Sequence, residues 1–143
     1  LYNHFRTKDD LVAGLIHDDV AELAADCRDL AASDLAVALT RAADGVATHP
    51  VVAGLRTVEP AALLPLAAPG HTPQWDAVRA EVAALLDSGE RVSGPSHVDL
   101  VLRWLAGHVL EPGTSASREA GAALLAGGLP AAVRTTAFAS PAS

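Results

Sequence analysis

The first eight residues place three side chains that suit phosphate contacts at a predicted helix end. Tyr2, His4 and Lys8 supply a phenol hydroxyl, an imidazole and an ammonium group, all of which donate hydrogen bonds. Tyr2 and Phe5 are spaced i, i+3, so both rings can pack under the next helix while His4 and Lys8 point outward. The sequence therefore predicts contacts to phosphate groups from Tyr2, His4 and Lys8, with Arg6 as a further candidate.

A capping pattern follows this segment and marks a helix boundary. Thr7 is a suitable N-cap, and Asp10 lies three residues later, where its carboxylate can reach back to the backbone N–H of Thr7. Lys8 is therefore predicted to begin a new helix, and the break between two helices falls near Arg6.

The pattern Leu-Tyr-x-His-Phe-x-x-Lys-x-x-Leu, from Leu1 to Leu11, resembles the junction at the end of the recognition helix in TetR-family transcriptional regulators. The rest of the chain resembles that family loosely, in its helix order and in the pattern from Val98 to Pro112. The resemblance implies an all-α, dimeric, ligand-responsive repressor. It also implies that residues 1–7 are a remnant of the DNA-binding domain, whose other helices would precede Leu1.

The same resemblance implies the domain boundaries of the chain and its binding partners. It implies a ligand-binding and dimerisation domain over residues 8–136, and the Ala, Ser and Pro composition predicts a disordered tail over residues 137–143. The intact protein would bind operator DNA as a homodimer, with its recognition helices roughly 34 Å apart. A small hydrophobic or aromatic effector would release it by tilting the helix that begins at Lys8.

The two tryptophans suggest a pocket for that effector. Trp75 and Trp104 stand in a chain with few aromatic residues, and His108 lies one helical turn beyond Trp104. An aromatic wall with one polar tip would orient a ligand. Alternatively, both indoles fill core space that the alanines leave open. The layout of the resembled family adds three apolar candidates to the ligand-binding residues, namely Leu55, Val58 and Leu63.

The motifs of catalysis and metal binding are missing from the sequence. No glycine-rich phosphate loop is present, and none of the six histidines form a pair at the i, i+4 spacing that lets two imidazoles share an ion. We therefore expect no enzymatic activity, no cofactor and no metal site. Cys27 is the single cysteine and is predicted to be a small buried hydrophobe.

Helical periodicity dominates the chain, which predicts an all-α fold of about six helices. The predicted helices run from Lys8 to about Ala31; from a cap at Ser33 or Asp34 to before His49-Pro50; from Pro50 to about Thr57; from a cap at Thr72 to a left-handed glycine cap at Ser88-Gly89; from a capping box at Ser96 to Leu110; and from about Ser117 to Leu129. A short helical turn is expected between Ala61 and Ala67, inside a proline-rich connection.

The helix after Ser96 carries apolar residues all around its axis, so something beyond its own core must cover it. The simplest cover is a second copy of the chain. The last helix is rich in Ala and Gly and permits close contact, so these two helices are predicted to form an isologous four-helix dimer interface, where the resembled family also dimerises. The predicted dimerisation residues are Leu102, Leu105, Val109, Ala120, Ala123, Leu124 and Gly127.

Composition agrees with a sensor domain. The 143 residues suffice for one domain, half of them are apolar and only 3% are aromatic. With a net charge of −7 and scattered cations, this chain should not hold DNA by itself. No apolar run is long enough to span a membrane, and no leader pattern appears, so a cytoplasmic protein is expected.

Two alternatives remain at this point. One is a ligand-independent, all-helical dimerisation or interaction module whose pocket is merely filled core. The other is a small helical hydrolase or metal-dependent enzyme, which the missing motifs disfavour.

Overall fold

A computed structural model describes the backbone of residues 8–133 and the side chains of residues 16–133. This part of the chain is all-helical, as predicted, and contains no β-strand. One isolated β-bridge joins Arg91 to Ala131. Within the same residues, no helix has the length and hydropathy needed to cross a membrane.

Seven α-helices and one 3-10 turn make up the fold of residues 8–133. They are α1 (Lys8–Ala31), α2 (Leu35–Thr48), α3 (Pro50–Val58), the 3-10 turn (Pro60–Leu63), α4 (Leu64–Ala67), α5 (Pro73–Ser88), α6 (Pro95–Leu110) and α7 (Ser115–Gly128). The six helices expected from periodicity are all present. The predicted turn between Ala61 and Ala67 consists of the 3-10 turn and α4.

Local capping explains where several helices begin. The Asp34 carboxylate accepts hydrogen bonds from the N–H groups of Ala36 and Val37 at the start of α2. The Thr72 hydroxyl accepts from the N–H of Trp75 at the start of α5. Thr114 and Ser117 form a reciprocal capping box, so α7 begins two residues before the predicted position. These caps satisfy backbone donors that no intrahelical carbonyl can reach.

The end of α5 differs from the expected glycine cap. Gly89 has a φ of −85°, whereas Glu90 adopts the left-handed conformation with a φ of 56°. The N–H of Arg91 donates to the carbonyl of Leu86, and the N–H of Glu90 donates to that of Asp87, which is the Schellman pattern with Glu90 as its left-handed residue. The prediction of a left-handed Gly89 is therefore wrong.

A packing constraint accounts for glycine at position 89. A Cβ atom there would lie 3.1 Å from Cδ1 of Leu35. The Leu35 side chain at the start of α2 thus packs closely on the end of α5, and a larger residue at position 89 would require it to shift by a few tenths of an ångström.

The start of α6 also differs from the prediction. The helix begins at Pro95, with Gly94 as an N-cap that makes no side-chain hydrogen bond. Proline is favourable at this first position because its φ is already helical and its missing N–H is not needed there. The N–H groups of His97 and Val98 bond to the Gly94 carbonyl. Ser96 already lies inside the first turn, so the predicted capping box at Ser96 is wrong.

Two groups of buried apolar side chains hold the helices together. The larger one connects the end of α1 with α2, α5, α6 and α7, and it centres on fully buried residues such as Leu39, Leu86 and Val101. The smaller one joins α3, the 3-10 turn and the end of α6 through Val52, Leu63 and Val109. Because α6 contributes to both groups, it is the central element of the protomer.

Two arginines fix the helices around α6. The Arg56 guanidinium donates to the carbonyls of Val109 at 2.9 Å and of Ala47 and His108 at 3.2 Å. These carbonyls lie in the last turns of α6 and α2, where intrahelical partners run out and a cation is favourable. Arg118 is buried, and its Nε donates to Oδ1 of Asp44 at 2.6 Å, which ties α7 to α2.

Candidate ligand cavity

A cavity of about 530 Å³ lies between α1 and the rest of the helical core. This volume falls within the range of small-molecule sites in proteins. Its walls are mainly apolar. They include Val20, Leu23, Ala24 and Cys27 from α1, Ala42, Gly45 and Val46 from α2, Trp75, Val78, Val82 and Leu85 from α5, and Leu102, Leu105, Ala106 and Val109 from α6.

Small side chains explain why this space stays open. Ala24, Ala42 and Ala106 face it from three different helices, and each projects only a methyl group. At Gly45 the backbone of α2 approaches α1 so closely that a Cβ atom would lie 2.6 Å from Cδ2 of Leu23. Since α1 and α2 touch at this point and little bulk fills the space beside it, a cavity remains between α1 and α6.

A hydrogen-bonded pair of polar residues lies on the cavity lining. Nε2 of His49 is 2.6 Å from Oδ2 of Asp19. Nδ1 of His49 accepts a hydrogen bond of 3.2 Å from the N–H of Val51, so the ring proton must lie on Nε2 and is donated to Asp19. The same imidazole thus caps α3 and links α2 to α1.

A second acidic residue on the lining already has a cationic partner. Glu81 of α5 forms an ion pair with Arg28 of α1, and Arg28 does not line the cavity. Three further polar side chains line the cavity and are exposed at its rim, namely those of His17, Thr72 and Gln74.

Cys27 lies on the cavity wall and is shielded from solvent, as the sequence predicted. Burial raises the pKa of its thiol to about 11, because the charged thiolate would lose its hydration; Arg41 lowers this pKa and Asp26 raises it by smaller amounts. Cys27 is therefore a packing residue of the wall in its thiol form.

The structure distributes the six predicted ligand residues over four places. Trp75 lines the cavity, whereas Trp104 and His108 do not. Leu63 is buried in the smaller core group, and Leu55 packs against that group. Val58 is 82% exposed at the end of α3. Ligand binding by these residues stays a prediction. Of the six, Trp75 is the one that lines the cavity and could contact a ligand there.

Trp104 and His108 do lie side by side, and Trp104 packs against α7. Their ring centroids are 4.9 Å apart with an interplanar angle of 82°, an edge-to-face contact. A Cβ atom on Gly121 would lie 2.9 Å from Nε1 of Trp104, so the indole rests directly on the glycine of α7. Nδ1 of His108 is buried without a hydrogen-bond partner among the described residues.

Sequence reasoning missed Asp19 and His49 as lining residues. Asp19 belongs to a charged stretch of α1 that is typical of a solvated helix face, and His49 precedes a proline that ends a helix. The two residues are thirty positions apart, so only the packing of α1 on α2 brings them together.

The residues predicted to contact DNA lie at or beyond the edge of the described part of the chain. Tyr2 and His4 lie outside the described residues, as does the side chain of Lys8, whose backbone begins α1. Among the residues that are described, no group of three or more His, Cys, Asp or Glu side chains could hold a metal ion.

The predicted dimerisation residues fall into two sets. Leu102 and Val109 are buried inside the protomer, and Leu105 is half-buried on the cavity wall. These three side chains therefore belong to the protomer's own interior, because the inner side of α6 faces the core. The predicted residues of α7 are exposed, namely Ala120, Ala123, Leu124 and Gly127.

No protein-family model matches this chain, and neither a curated protein nor a solved structure shows significant similarity to it. The resemblance to TetR-family regulators therefore depends on the pattern from Leu1 to Leu11 and on the order of the helices.

Cys27 offers a test of the cavity wall by chemical labelling. With a pKa of about 11, roughly one thiol in a thousand is ionised near pH 8, and the thiolate is the reactive form. Alkylation by iodoacetamide should be at least about a hundred-fold slower in the native protein than in guanidinium chloride, where the ordinary pKa returns. The native rate should rise with pH well beyond pH 9, and a native rate within tenfold of the unfolded one near pH 8 would contradict this placement of Cys27.

Proposed function

We propose that this chain is the ligand-binding and dimerisation region of a TetR-type transcriptional repressor. The cavity beside α1 carries the proposal. α1 continues directly from the segment that contains Tyr2 and His4, and the same helix supplies Val20, Leu23 and Cys27 to the cavity wall. An effector in the cavity would therefore contact the helix that leads to the predicted DNA-binding residues.

The length of α1 would turn a small change at the cavity into a larger one at its N-terminal end. Lys8 lies nineteen residues before Cys27, which corresponds to roughly 28 Å along a helix. A tilt of about 5° around Cys27 would move the Lys8 backbone by about 2.5 Å. In a dimer, displacements of this size at both ends would change the separation of two DNA-reading units. A coupling of ~1–3 kcal/mol would alter operator affinity by roughly 5- to 150-fold.

The charge of the chain fits a protein whose helical region binds the effector and whose preceding segment contacts DNA. Its net charge is −7, with seventeen acidic and ten basic residues. Such a body repels DNA, so operator contacts would have to come from the segment before α1 and from helices upstream of it. Tyr2, His4 and Lys8 then position the protein on phosphates and leave base recognition to the upstream helices.

A second copy of the chain is the proposed partner of α6 and α7. Leu124 of α7 is 78% exposed and Leu100 of α6 is 53% exposed, so both helices present large apolar side chains to solvent in the single protomer. Ala120, Ala123 and Gly127 give α7 a smooth surface around Leu124 that lets a neighbouring helix approach closely. An isologous contact of these two helices would form the four-helix interface.

The regulatory proposal is tested with the full-length gene product and DNA from upstream of its own gene. Hydrophobic and aromatic compounds that raise the melting temperature are identified first, and operator affinity is then measured with and without each of them. At least one such compound should weaken DNA binding by fivefold or more, within the range expected of an allosteric coupling. Identical DNA affinity with every stabilising compound would exclude the switch, and a lack of any stabilising compound would favour the ligand-independent interaction module.

The dimer is tested by a charge on the exposed surface of α7. Leu124→Glu should convert the protein to a monomer in light scattering coupled to size exclusion, because two buried carboxylates would face each other near the two-fold axis. Leu64→Glu on α4 is the matched control, since Leu64 is also exposed and should leave the mass unchanged. A monomeric wild type, or a dimer unaffected by Leu124→Glu, would contradict this interface.

A further inference from the structure

We propose that the cavity selects an organic cation with an apolar body over a neutral or anionic molecule of the same shape. This inference rests on the proposed ligand-binding function and names the chemical class of the ligand. Among the described residues, the formal charges on the lining are the carboxylates of Asp19 and Glu81, and no lysine or arginine lines the cavity. The two carboxylates differ in how far their charge is compensated.

The Glu81 charge is balanced inside the protein. Its carboxylate pairs with the Arg28 guanidinium, and both side chains are partly shielded from solvent. An approaching ligand therefore meets a neutral ion pair at this place. The Glu81 side of the cavity gives no preference for either sign of charge.

The Asp19 charge is not balanced in this way. Its described partner is His49, whose Nδ1 accepts the N–H of Val51 and whose Nε2 proton goes to Asp19. An imidazole that accepts at one nitrogen and donates at the other is neutral. The pair therefore carries a full negative charge on the lining, and the Asp19 side chain is 54% exposed, which leaves room for a cationic group beside it.

The charged residues around Asp19 also favour a cationic ligand. A neighbouring groove shares Asp19 and His49 with the cavity and is also lined by Glu22 and Asp26. Arg41 is the one arginine or lysine among the described residues of that groove, so carboxylates outnumber these cations there. With a net charge of −7 over the chain, the field at this end of the cavity attracts cations and repels anions. An anionic ligand would find the neutral side chains of Thr72 and Gln74 at the rim, and a carboxylate with no lysine or arginine among the described residues of the lining to offset it.

The apolar part of the ligand would occupy the interior. Val78 and Val82 bury hydrocarbon, and Trp75 offers an aromatic face, which is attractive to a cationic group as well as to an aromatic ring. The cavity thus combines a large apolar volume with one uncompensated carboxylate. That combination suits amines and other organic cations that carry an aromatic or aliphatic body.

The test uses three probes that share one hydrophobic body. These are 2-(1-naphthyl)ethylamine, 2-(1-naphthyl)ethanol and 1-naphthylacetate, which are cationic, neutral and anionic near pH 7. Binding to the protein is measured by isothermal titration calorimetry at low ionic strength and again with about 0.5 M NaCl. The amine should bind about tenfold or more tightly than the acid, with the alcohol between them, and salt should reduce this difference by screening the half-exposed Asp19.

Two substitutions assign the preference to one carboxylate. Asp19→Asn keeps the shape and can still accept the His49 proton, and it should reduce the difference between amine and acid to less than about threefold. Asp18→Asn is the matched control, because it changes the net charge equally on an adjacent exposed residue that does not line the cavity, and it should leave the difference largely intact.

The outcomes separate this inference from the function on which it rests. Binding of all three probes with no preference for the amine, or with a preference for the acid, would overturn the cation selectivity while leaving a ligand cavity in place. An equal loss of selectivity in both variants would also overturn it, since the long-range field and not Asp19 would be responsible. Failure of every probe to bind would count against the ligand-binding function itself.

Discussion

The space beside α1 depends on the small side chains that face it from α2 and α6. α1 packs against α2 and α5, and Gly45 allows it to approach α2 closely. Next to this contact, Ala42 and Ala106 project only methyl groups into a space that larger residues would have closed. Dense packing is the rule in protein interiors, so an open volume of this size beside a long helix is the feature that gives the fold its proposed function.

The rest of the protomer forms a firm frame around that space. Arg56 joins the ends of α2 and α6 through three carbonyls, and Arg118 joins α7 to α2 through Asp44. The polar links of α1 to this frame are side-chain pairs that are at least partly exposed, from Asp19 to His49, from Arg28 to Glu81 and from Asp26 to Arg41. Pairs of this kind contribute little to stability. The polar links therefore add little to the attachment of α1, which depends on apolar packing against α2 and α5.

Much of the fold could be predicted from the sequence because its signals are local. The C-terminal end of α1, the caps at Asp34 and Thr72 and the stop before Pro50 all follow from neighbouring residues. The error at Gly89 arose because the left-handed position of the cap falls one residue later, on Glu90, and the error at Ser96 because Pro95 already begins the helix. The cavity was harder to predict, since periodicity shows that Trp104 lies on a helix but not that it faces Gly121 instead of the open space.

The central claim, an open cavity beside α1, is tested most directly by adding bulk at two adjacent positions of α2. Ala42 and Ala43 are both buried, but only Ala42 lines the cavity. The free energy of unfolding is measured by chemical denaturation for Ala42→Leu and Ala43→Leu. We expect Ala42→Leu to change it by less than about 1 kcal/mol or to increase it, while Ala43→Leu lowers it by about 1–3 kcal/mol through overpacking. Equal losses at both positions would show that the space beside α1 is already filled and would contradict the account.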